Sequence, residues 1–207
     1  MQIQIYYLDD DKEYNINSFD EINNDNIIYL DCRCNKLTSL PDDMNLSNLQ
    51  EFNCQCNNLT SLPDHMNLSN LEYFNCNNNN LTSLPENIGE TLPNLQTLIC
   101  SNNNLISLPE CMNLPNLQDL WCENNNLTLL PDNISEMIPN LLNLRCEYNN
   151  LTSLPEHFNL PNLQYFWCNY NNLTSLPEYL NLPNLKWLYC DTNNLNLLHN
   201  NFSEIMP

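Results

Sequence analysis

This sequence contains very little glycine and very few basic residues. A single glycine, Gly89, stands among 207 residues, which excludes the glycine-rich loops that cradle phosphate groups in nucleotide-binding proteins. Only 5 lysines and arginines accompany 25 acidic residues, so the formal net charge is −20. Nucleic acids and anionic membrane surfaces are bound through clustered lysine and arginine, and we therefore expect neither as a partner.

Long hydrophobic runs are also absent. No stretch approaches 18 consecutive apolar residues, and the N-terminus has no basic start before the short alternating run at residues 3–8. We therefore expect no membrane span and no standard signal peptide. Hydrophobic residues still make up 42% of the chain, which is within the range of globular proteins and predicts a folded chain.

The sequence is dominated by an internal repeat. The segment from Leu49 to Pro63 reads LQEFNCQCNNLTSLP, which follows the pattern Leu-x-x-Leu-x-Cys-x-x-Asn-x-Leu and continues as Thr-Ser-Leu-Pro in most copies. Successive copies begin 22 or 24 residues apart. The eight copies begin at Ile27, Leu49, Leu71, Leu95, Leu117, Leu141, Leu163 and Leu185.

This pattern resembles the leucine-rich-repeat family in its period and in its asparagine and cysteine positions. The resemblance implies an α/β-type repeat solenoid, a horseshoe with a parallel β-sheet on its concave face. Because the leucine before each proline is pushed toward extended geometry, we expect extended segments and short turns on the convex face. We predict an N-terminal cap at residues 1–26 and eight repeats over residues 27–207, the last segment, 201–207, copying the longer repeat form.

Two groups within the family share finer features with this chain. The Thr-Ser-Leu-Pro steps are similar to those of bacterial effector proteins, and the cysteine column with its many asparagines is similar to repeat proteins of amoeba-infecting giant DNA viruses. In some of the bacterial effectors the repeats precede a ubiquitin-ligase domain with a catalytic cysteine. No residues remain after the repeats here to form such a domain, so we expect that activity not to carry over.

Each recurring column of the repeat has a physical role. Residues such as Leu71, Phe74 and Cys76 should alternate into the core along a short strand, and only stacking of the repeats can bury them. The asparagine column is expected to point inward and to satisfy turn backbone groups. Its members are Asn35, Asn57, Asn79, Asn103, Asn125, Asn149, Asn171 and Asn193.

The 11 cysteines give no strong sign of a metal or redox site. Eight of them fall in one core column, where small thiols pack as apolar residues, and no Cys-x-x-Cys pair occurs. Cys34 and Cys56 share a turn column on adjacent repeats, so a bridge or part of a metal site stays open beside the interpretation as free thiols. His65, His157 and His199 are expected in outer loops. We predict no catalytic residue, no cofactor and no metal.

The repeat pattern places seven acids on the exposed inner face: Asp31, Glu51, Glu72, Asp119, Glu123, Glu147 and Asp191. Most of the remaining acids fall in outer loops, where they aid solubility. Large aromatic residues gather on the inner face of the last four repeats, a composition typical of binding hot spots. The predicted partner-binding residues are Trp121, Arg145, Tyr148, Tyr165, Trp167, Tyr170, Trp187 and Tyr189.

The sequence therefore predicts a non-catalytic protein-interaction module that binds its partner on the concave face. Two alternatives remain: a glycan or small ligand bound on the same aromatic face, or the substrate-binding part of a longer effector or ubiquitin-ligase protein. A simple preference of strands for aromatic residues would also explain the cluster. We expect a monomer in the cytoplasm, that of the host cell if the protein is viral, with a host protein as partner.

Overall fold

A computed structural model describes residues 2–7, 10–22 and 26–196. His199 and the predicted tail copy at 201–207 lie outside them. The elements are short, and a 3-10 turn spans Phe19–Glu21. The strands are β1 (Ile3–Tyr7), β2 (Asp10–Ile16), β3 (Ile27–Asp31), β4 (Glu51–Asn53), β5 (Tyr73–Asn75), β6 (Thr97–Ile99), β7 (Asp119–Trp121), β8 (Asn143–Arg145), β9 (His157–Asn159), β10 (Tyr165–Trp167), β11 (Tyr179–Asn181) and β12 (Trp187–Tyr189). Two helices, α1 (Ile88–Thr91) and α2 (Ile134–Met137), have four residues each.

One ten-stranded sheet runs through the described chain in the order β12-β10-β8-β7-β6-β5-β4-β3-β1-β2. Eight strands of this sheet are parallel, and each comes from one copy of the repeat: β3, β4, β5, β6, β7, β8, β10 and β12. Equivalent positions face each other, as in the pairs Phe52–Phe74 and Leu120–Leu144. The predicted parallel-sheet solenoid is thus confirmed.

The core is the stack of the repeat's apolar columns. Leu71, Phe74, Cys76 and Leu81 are fully buried, and Leu84 is almost so. Phe52 stacks on Phe74 with their ring centroids 5.3 Å apart. Burying one such side chain contributes about 1.5–3 kcal/mol, and no repeat could achieve this burial without its neighbours.

The asparagine column joins consecutive repeats, as predicted. Asn125 is typical: its Nδ2 donates to the carbonyl oxygens of Cys100 and Cys122, both at 3.1 Å, and its Oδ1 accepts from the backbone N–H of Leu105 at 2.9 Å. Cys100 and Leu105 belong to the preceding repeat. Each of these carbonyls also accepts from a neighbouring asparagine of the column, Cys100 from Asn103 and Cys122 from Asn149, so the amides satisfy the buried turn backbone of consecutive repeats in a continuous chain.

The first repeat receives the same bonds from the N-terminal hairpin. β1 pairs antiparallel with both β2 and β3 and buries Ile3 and Ile5 completely. Asn35 Nδ2 donates to the carbonyl of Gln2, and Asn35 Oδ1 accepts from the N–H of Gln2, both at 2.7 Å. Gln2 thus supplies the backbone partners that a preceding repeat provides elsewhere.

The convex side has little regular structure, as expected from the Leu-Pro steps. Its two single-turn helices occur in the two copies that are two residues longer, while β9 and β11 pair as a separate two-stranded sheet. His157 lies in β9 and not in an outer loop as predicted. Gly89 is the second residue of α1 and packs on the next repeat. A side chain at this position would overlap the backbone carbonyl of Met112.

Candidate functional site

The concave face is formed by the first and third residues of each short strand. In β10, Phe166 is buried in the core, while Tyr165 and Trp167 on either side of it are partly exposed on the opposite face. This alternation follows from the two-residue period of a β-strand. All eight residues predicted to bind a partner lie on this side of the sheet or in the turns that directly follow its strands.

Four of them form a continuous column, which we name the aromatic ladder: Trp121, Arg145, Trp167 and Tyr189. They face each other across β7, β8, β10 and β12. The guanidinium carbon of Arg145 lies 5.1 Å from the ring centroid of Trp121 and 5.4 Å from that of Trp167. Trp167 stacks on Tyr189 with ring centroids 5.8 Å apart. Arg145 thus stands between two tryptophan rings in a cation–π arrangement.

Tyr165 and Trp187 widen the ladder on one side. Tyr165 stacks beside Trp167 at 5.8 Å and Trp187 beside Tyr189 at 6.4 Å between ring centroids. Lys186 places its Nζ 5.9 Å from the ring of Tyr165 and donates a hydrogen bond to Gln164 Oε1 at 2.7 Å. Trp187 is 56% exposed, so this end of the ladder presents a large apolar surface to solvent.

Tyr148 and Tyr170 form a separate stacked pair at the turns after β8 and β10. Their ring centroids are 4.3 Å apart and the rings are inclined by 10°. Both residues have left-handed backbone, with φ of 55° and 52°. The corresponding position is left-handed in the other repeats too. It is occupied by Cys34, Cys56, Asn78, Asn102 and Asn124 in the earlier repeats and by Thr192 in the last. Asparagine tolerates this conformation better than tyrosine does.

The prediction that the inner-face acids are all exposed is wrong for three of them. Asp31, Glu123 and Glu147 are buried, being only 3%, 9% and 4% exposed. Glu147 Oε1 accepts from both Nε and Nη2 of Arg145, at 3.2 and 2.8 Å. Burial raises the pKa of Glu123 above its ordinary value, and hydrogen bonds from its own backbone N–H and from Ser101, together with Arg145, partly oppose that effect. The position of these residues in the repeat predicted which face of the sheet they lie on, but not how deeply their side chains are buried.

Seven of the eight cysteines in the column are buried in the core, as predicted, and Cys190 in the last repeat is partly exposed. Burial raises the pKa of Cys76 to about 12 and raises that of Cys54, Cys100 and Cys122 well above the ordinary thiol value. Cys76 Sγ lies 3.4 Å from the carbonyl oxygen of Ile99 on the next strand and donates to it. These thiols stay protonated at neutral pH and act as small packing groups.

Cys34 and Cys56 are exposed free thiols on neighbouring turns. Burial, small as it is, and the nearby Cys34 thiol raise the pKa of Cys56. No group of three His, Cys, Asp or Glu side chains suited to a metal occurs in the described part of the chain. Likewise, no helix among the described residues is long and apolar enough to cross a membrane.

A groove that was not predicted from the sequence runs across the start of the strands in five repeats. It has a volume of about 740 Å³ and is lined mostly by amide side chains. Its lining consists of Gln50, Asn70, Glu72, Asn94, Gln96, Asn116, Gln118, Asn140, Leu142 and Asn162. Several of these asparagines donate to a carbonyl of the preceding repeat, as Asn140 does to Pro115 at 2.8 Å. The signal was present in the sequence, since asparagine directly precedes the first leucine of these repeats.

Comparison with known proteins supports membership of the leucine-rich-repeat family. The family model for leucine-rich repeats in two copies matches residues 93–135. A leucine-rich-repeat protein of Leptospira interrogans is 37% identical, with a TM-score of 0.73 over 78% of this chain and 42% of that one. YopM, a leucine-rich effector protein of Yersinia pestis, is 30% identical, with a TM-score of 0.65 over 83% of this chain and 51% of that one.

A chain in the Toll–Spatzle complex of Drosophila is also similar, at 27% identity and a TM-score of 0.63, over 70% of this chain and 20% of that one. The present chain therefore spans about half, or less, of the length of these proteins. No curated protein matches the sequence significantly. The similarity to giant-virus repeat proteins is not confirmed by these matches, whereas similarity to an effector repeat protein is.

Proposed function

We propose that this leucine-rich-repeat solenoid binds a protein partner through the aromatic ladder and the residues beside it. Proteins of the leucine-rich-repeat fold generally mediate protein–protein interactions and are typically non-catalytic scaffolds. The proposal extends this to the present chain, as a monomeric module without catalytic activity that binds neither nucleic acid nor membrane.

The observation that carries the proposal is the contiguous aromatic surface over β7, β8, β10 and β12. Ring stacking fixes these side chains before any partner arrives, so they lose little conformational entropy on binding. Tyr148 and Tyr170 extend this surface into the turns, where they stack with ring centroids 4.3 Å apart at positions that asparagine occupies with less strain in three other repeats. A simple strand preference for aromatic residues does not account for tyrosine at such turns.

The experiment is affinity capture from a host-cell lysate followed by mass spectrometry, with two variants. Trp187→Ala removes an aromatic side chain that is 56% exposed, and Leu129→Ala removes an apolar side chain that is 53% exposed outside the aromatic surface. We expect the first variant to lose the captured protein and the second to retain it. Equal retention by both variants, or loss only with Leu129→Ala, would contradict the proposal.

A second candidate function is the binding of a glycan, which the amide groove favours. The side chains of Gln50, Gln96 and Gln118 line it, and amides offer both donors and acceptors to hydroxyl groups. A glycan array tests this candidate, with Gln96→Ala and Gln118→Ala as variants. Glycan binding that depends on these residues and is unaffected by Trp187→Ala would assign the groove a function distinct from the aromatic surface.

We also propose that the protein works in the cytoplasm, that of the host cell if its origin is viral. The support is chemical: 11 free thiols are compatible with a reducing compartment. Mass spectrometry of protein isolated under thiol-trapping conditions should find Cys34 and Cys56 unpaired. A Cys34–Cys56 disulfide in freshly isolated protein would contradict this assignment.

A further inference from the structure

Three buried acceptor oxygens on the concave side have no hydrogen-bond donor. They are Glu123 Oε2, Glu147 Oε2 and Asn169 Oδ1. The three residues occupy the same position in three consecutive repeats, two residues after β7, β8 and β10. A buried polar atom without a partner is costly and uncommon in folded proteins, so a row of three points to a missing donor.

Asp31 shows that this fold can satisfy a buried carboxylate completely. Its Oδ1 accepts from the backbone N–H of Arg33 at 2.9 Å. Its Oδ2 accepts from the hydroxyl of Tyr29 at 3.0 Å and from Nε of Arg33 at 2.8 Å. The unpaired oxygens of Glu123 and Glu147 are therefore a property of the later repeats and not of the solenoid in general.

Arg145 donates to only one of the carboxylate oxygens in this row. Both of its bonds go to Oε1 of Glu147, which leaves Oε2 of the same carboxylate for a second donor. Glu123 has no ion pair within 4.0 Å in the described chain. Its own backbone N–H, the Ser101 side chain and the charge of Arg145 each lower the pKa of Glu123, Glu147 raises it, and burial outweighs the lowering effects. The donors already present thus leave Oε2 of Glu123 without a partner.

The indole Nε1 of Trp121 is also buried without an acceptor. A ligand that satisfies this part of the surface must therefore bring donors for the carboxylates and an acceptor for the indole N–H. A metal ion provides no acceptor. A peptide with a basic side chain provides both, because its ammonium or guanidinium group donates and its backbone carbonyl accepts.

We propose that the partner presents an arginine or lysine side chain to Glu123 and Glu147, beside the aromatic ladder. This inference rests on the proposed function and names the chemistry of the partner. The position of Arg145 between two tryptophan rings shows that the ladder accommodates a guanidinium group. The net charge of −20 favours the approach of a cationic segment.

The test uses two blocked, fluorescein-labelled octapeptides, one alternating arginine with glycine and one with citrulline in place of arginine. Citrulline keeps the size of the side chain and removes its charge. By fluorescence anisotropy we expect the arginine peptide to bind at least tenfold more tightly. Equal affinity for the two peptides would overturn the proposal.

Two double variants locate the effect. Glu123→Gln with Glu147→Gln should weaken binding of the arginine peptide at least tenfold. The matched control, Glu51→Gln with Glu72→Gln, removes two charges from exposed positions of the same face and should weaken it less than threefold. Equal weakening by both pairs would mean that net charge alone attracts the peptide, and the proposed site would be wrong.

Thermal unfolding separates a binding role from a structural one. Because the folded-state pKa of Glu123 is raised, this carboxyl group stabilises the fold less as pH rises above its unfolded-state value. Glu123→Gln should therefore melt at a higher temperature than the parent protein at pH 7, and the difference should vanish below pH 4. A lower melting temperature at pH 7 would make Glu123 a structural residue and overturn the inference.

The two proposals fail separately. If Trp187→Ala abolishes partner capture while the Glu123 and Glu147 variants bind the partner normally, the aromatic surface still binds a protein, and the basic side chain is the part that is wrong. If neither set of variants affects capture, the proposed function itself is wrong.

Discussion

The stacked tyrosines allow a quantitative test of strain in the candidate site. Tyr148 and Tyr170 have left-handed backbone, as does Asn124 at the same position of the preceding repeat. We consider Tyr148→Asn, Tyr170→Asn and the double variant. Each substitution places the residue that three earlier repeats use, so the turn should keep its conformation.

Two opposing effects set the magnitude. The left-handed conformation costs an ordinary residue about 1–2 kcal/mol, and asparagine relieves roughly 1 kcal/mol of this at each position. The stack between rings 4.3 Å apart contributes about 0.5–1.5 kcal/mol, and it is lost only once. Each single variant should therefore leave the free energy of unfolding nearly unchanged, and the double variant should be more stable by about 1 kcal/mol.

Urea unfolding of the four proteins gives this coupling as a double-mutant cycle. Asn102→Tyr is the matched control, because it introduces the strain next to Asn78 and Asn124 without forming a tyrosine stack, and it should destabilise the protein by about 1 kcal/mol. The reasoning would be refuted if Tyr148→Asn and Tyr170→Asn each lowered the free energy of unfolding and the double variant lowered it by the sum of the two. It would mean that the tyrosines stabilise the solenoid and need no functional explanation.

Three further predictions concern the fold. Asn125→Leu should destabilise the protein by about 2 kcal/mol or more, because the backbone N–H of Leu105 loses its acceptor; an unchanged urea midpoint would contradict the inward position of Asn125. Gly89→Ala should cost about 1–3 kcal/mol in thermal unfolding, since the new Cβ would lie 2.7 Å from the carbonyl oxygen of Asn113; an unchanged melting temperature would show that this contact is relieved at little cost. Iodoacetamide should rapidly modify only the exposed cysteines of the folded protein, and rapid labelling of Cys76 would show that its column is not closed. The exposed cysteines are Cys34, Cys56 and Cys111.

The solenoid could be predicted from the sequence because its core positions recur with a fixed period. Leu71, Phe74 and Cys76 have counterparts in every repeat, so one copy determines which face the others bury. The two short helices were not predicted, although α1 and α2 occur where the repeat is longer by two residues. Because similar units stack on one another, a core position assigned in one repeat can be assigned in the next.

The candidate site could be predicted only in part. The period placed Trp121 and Trp167 on one face, but the position of Arg145 between them depends on which strands are neighbours and on side-chain conformation. The burial of Glu123 was missed for the same reason. Its depth depends on side chains of the adjacent strands, and an alternating pattern carries no information about them.

The affinity of the captured partner for Trp167→Ala tests the proposed binding surface most directly. Trp167 contacts Arg145, Tyr165 and Tyr189, so its removal opens the centre of the aromatic ladder. Isothermal titration should show a loss of about 2 kcal/mol or more, as hot-spot truncations do, while Glu156→Ala on the convex edge should leave affinity unchanged. Circular dichroism should first establish that both variants are folded. If Glu156→Ala loses the partner and Trp167→Ala keeps it, the partner binds the acidic edge and not the aromatic ladder.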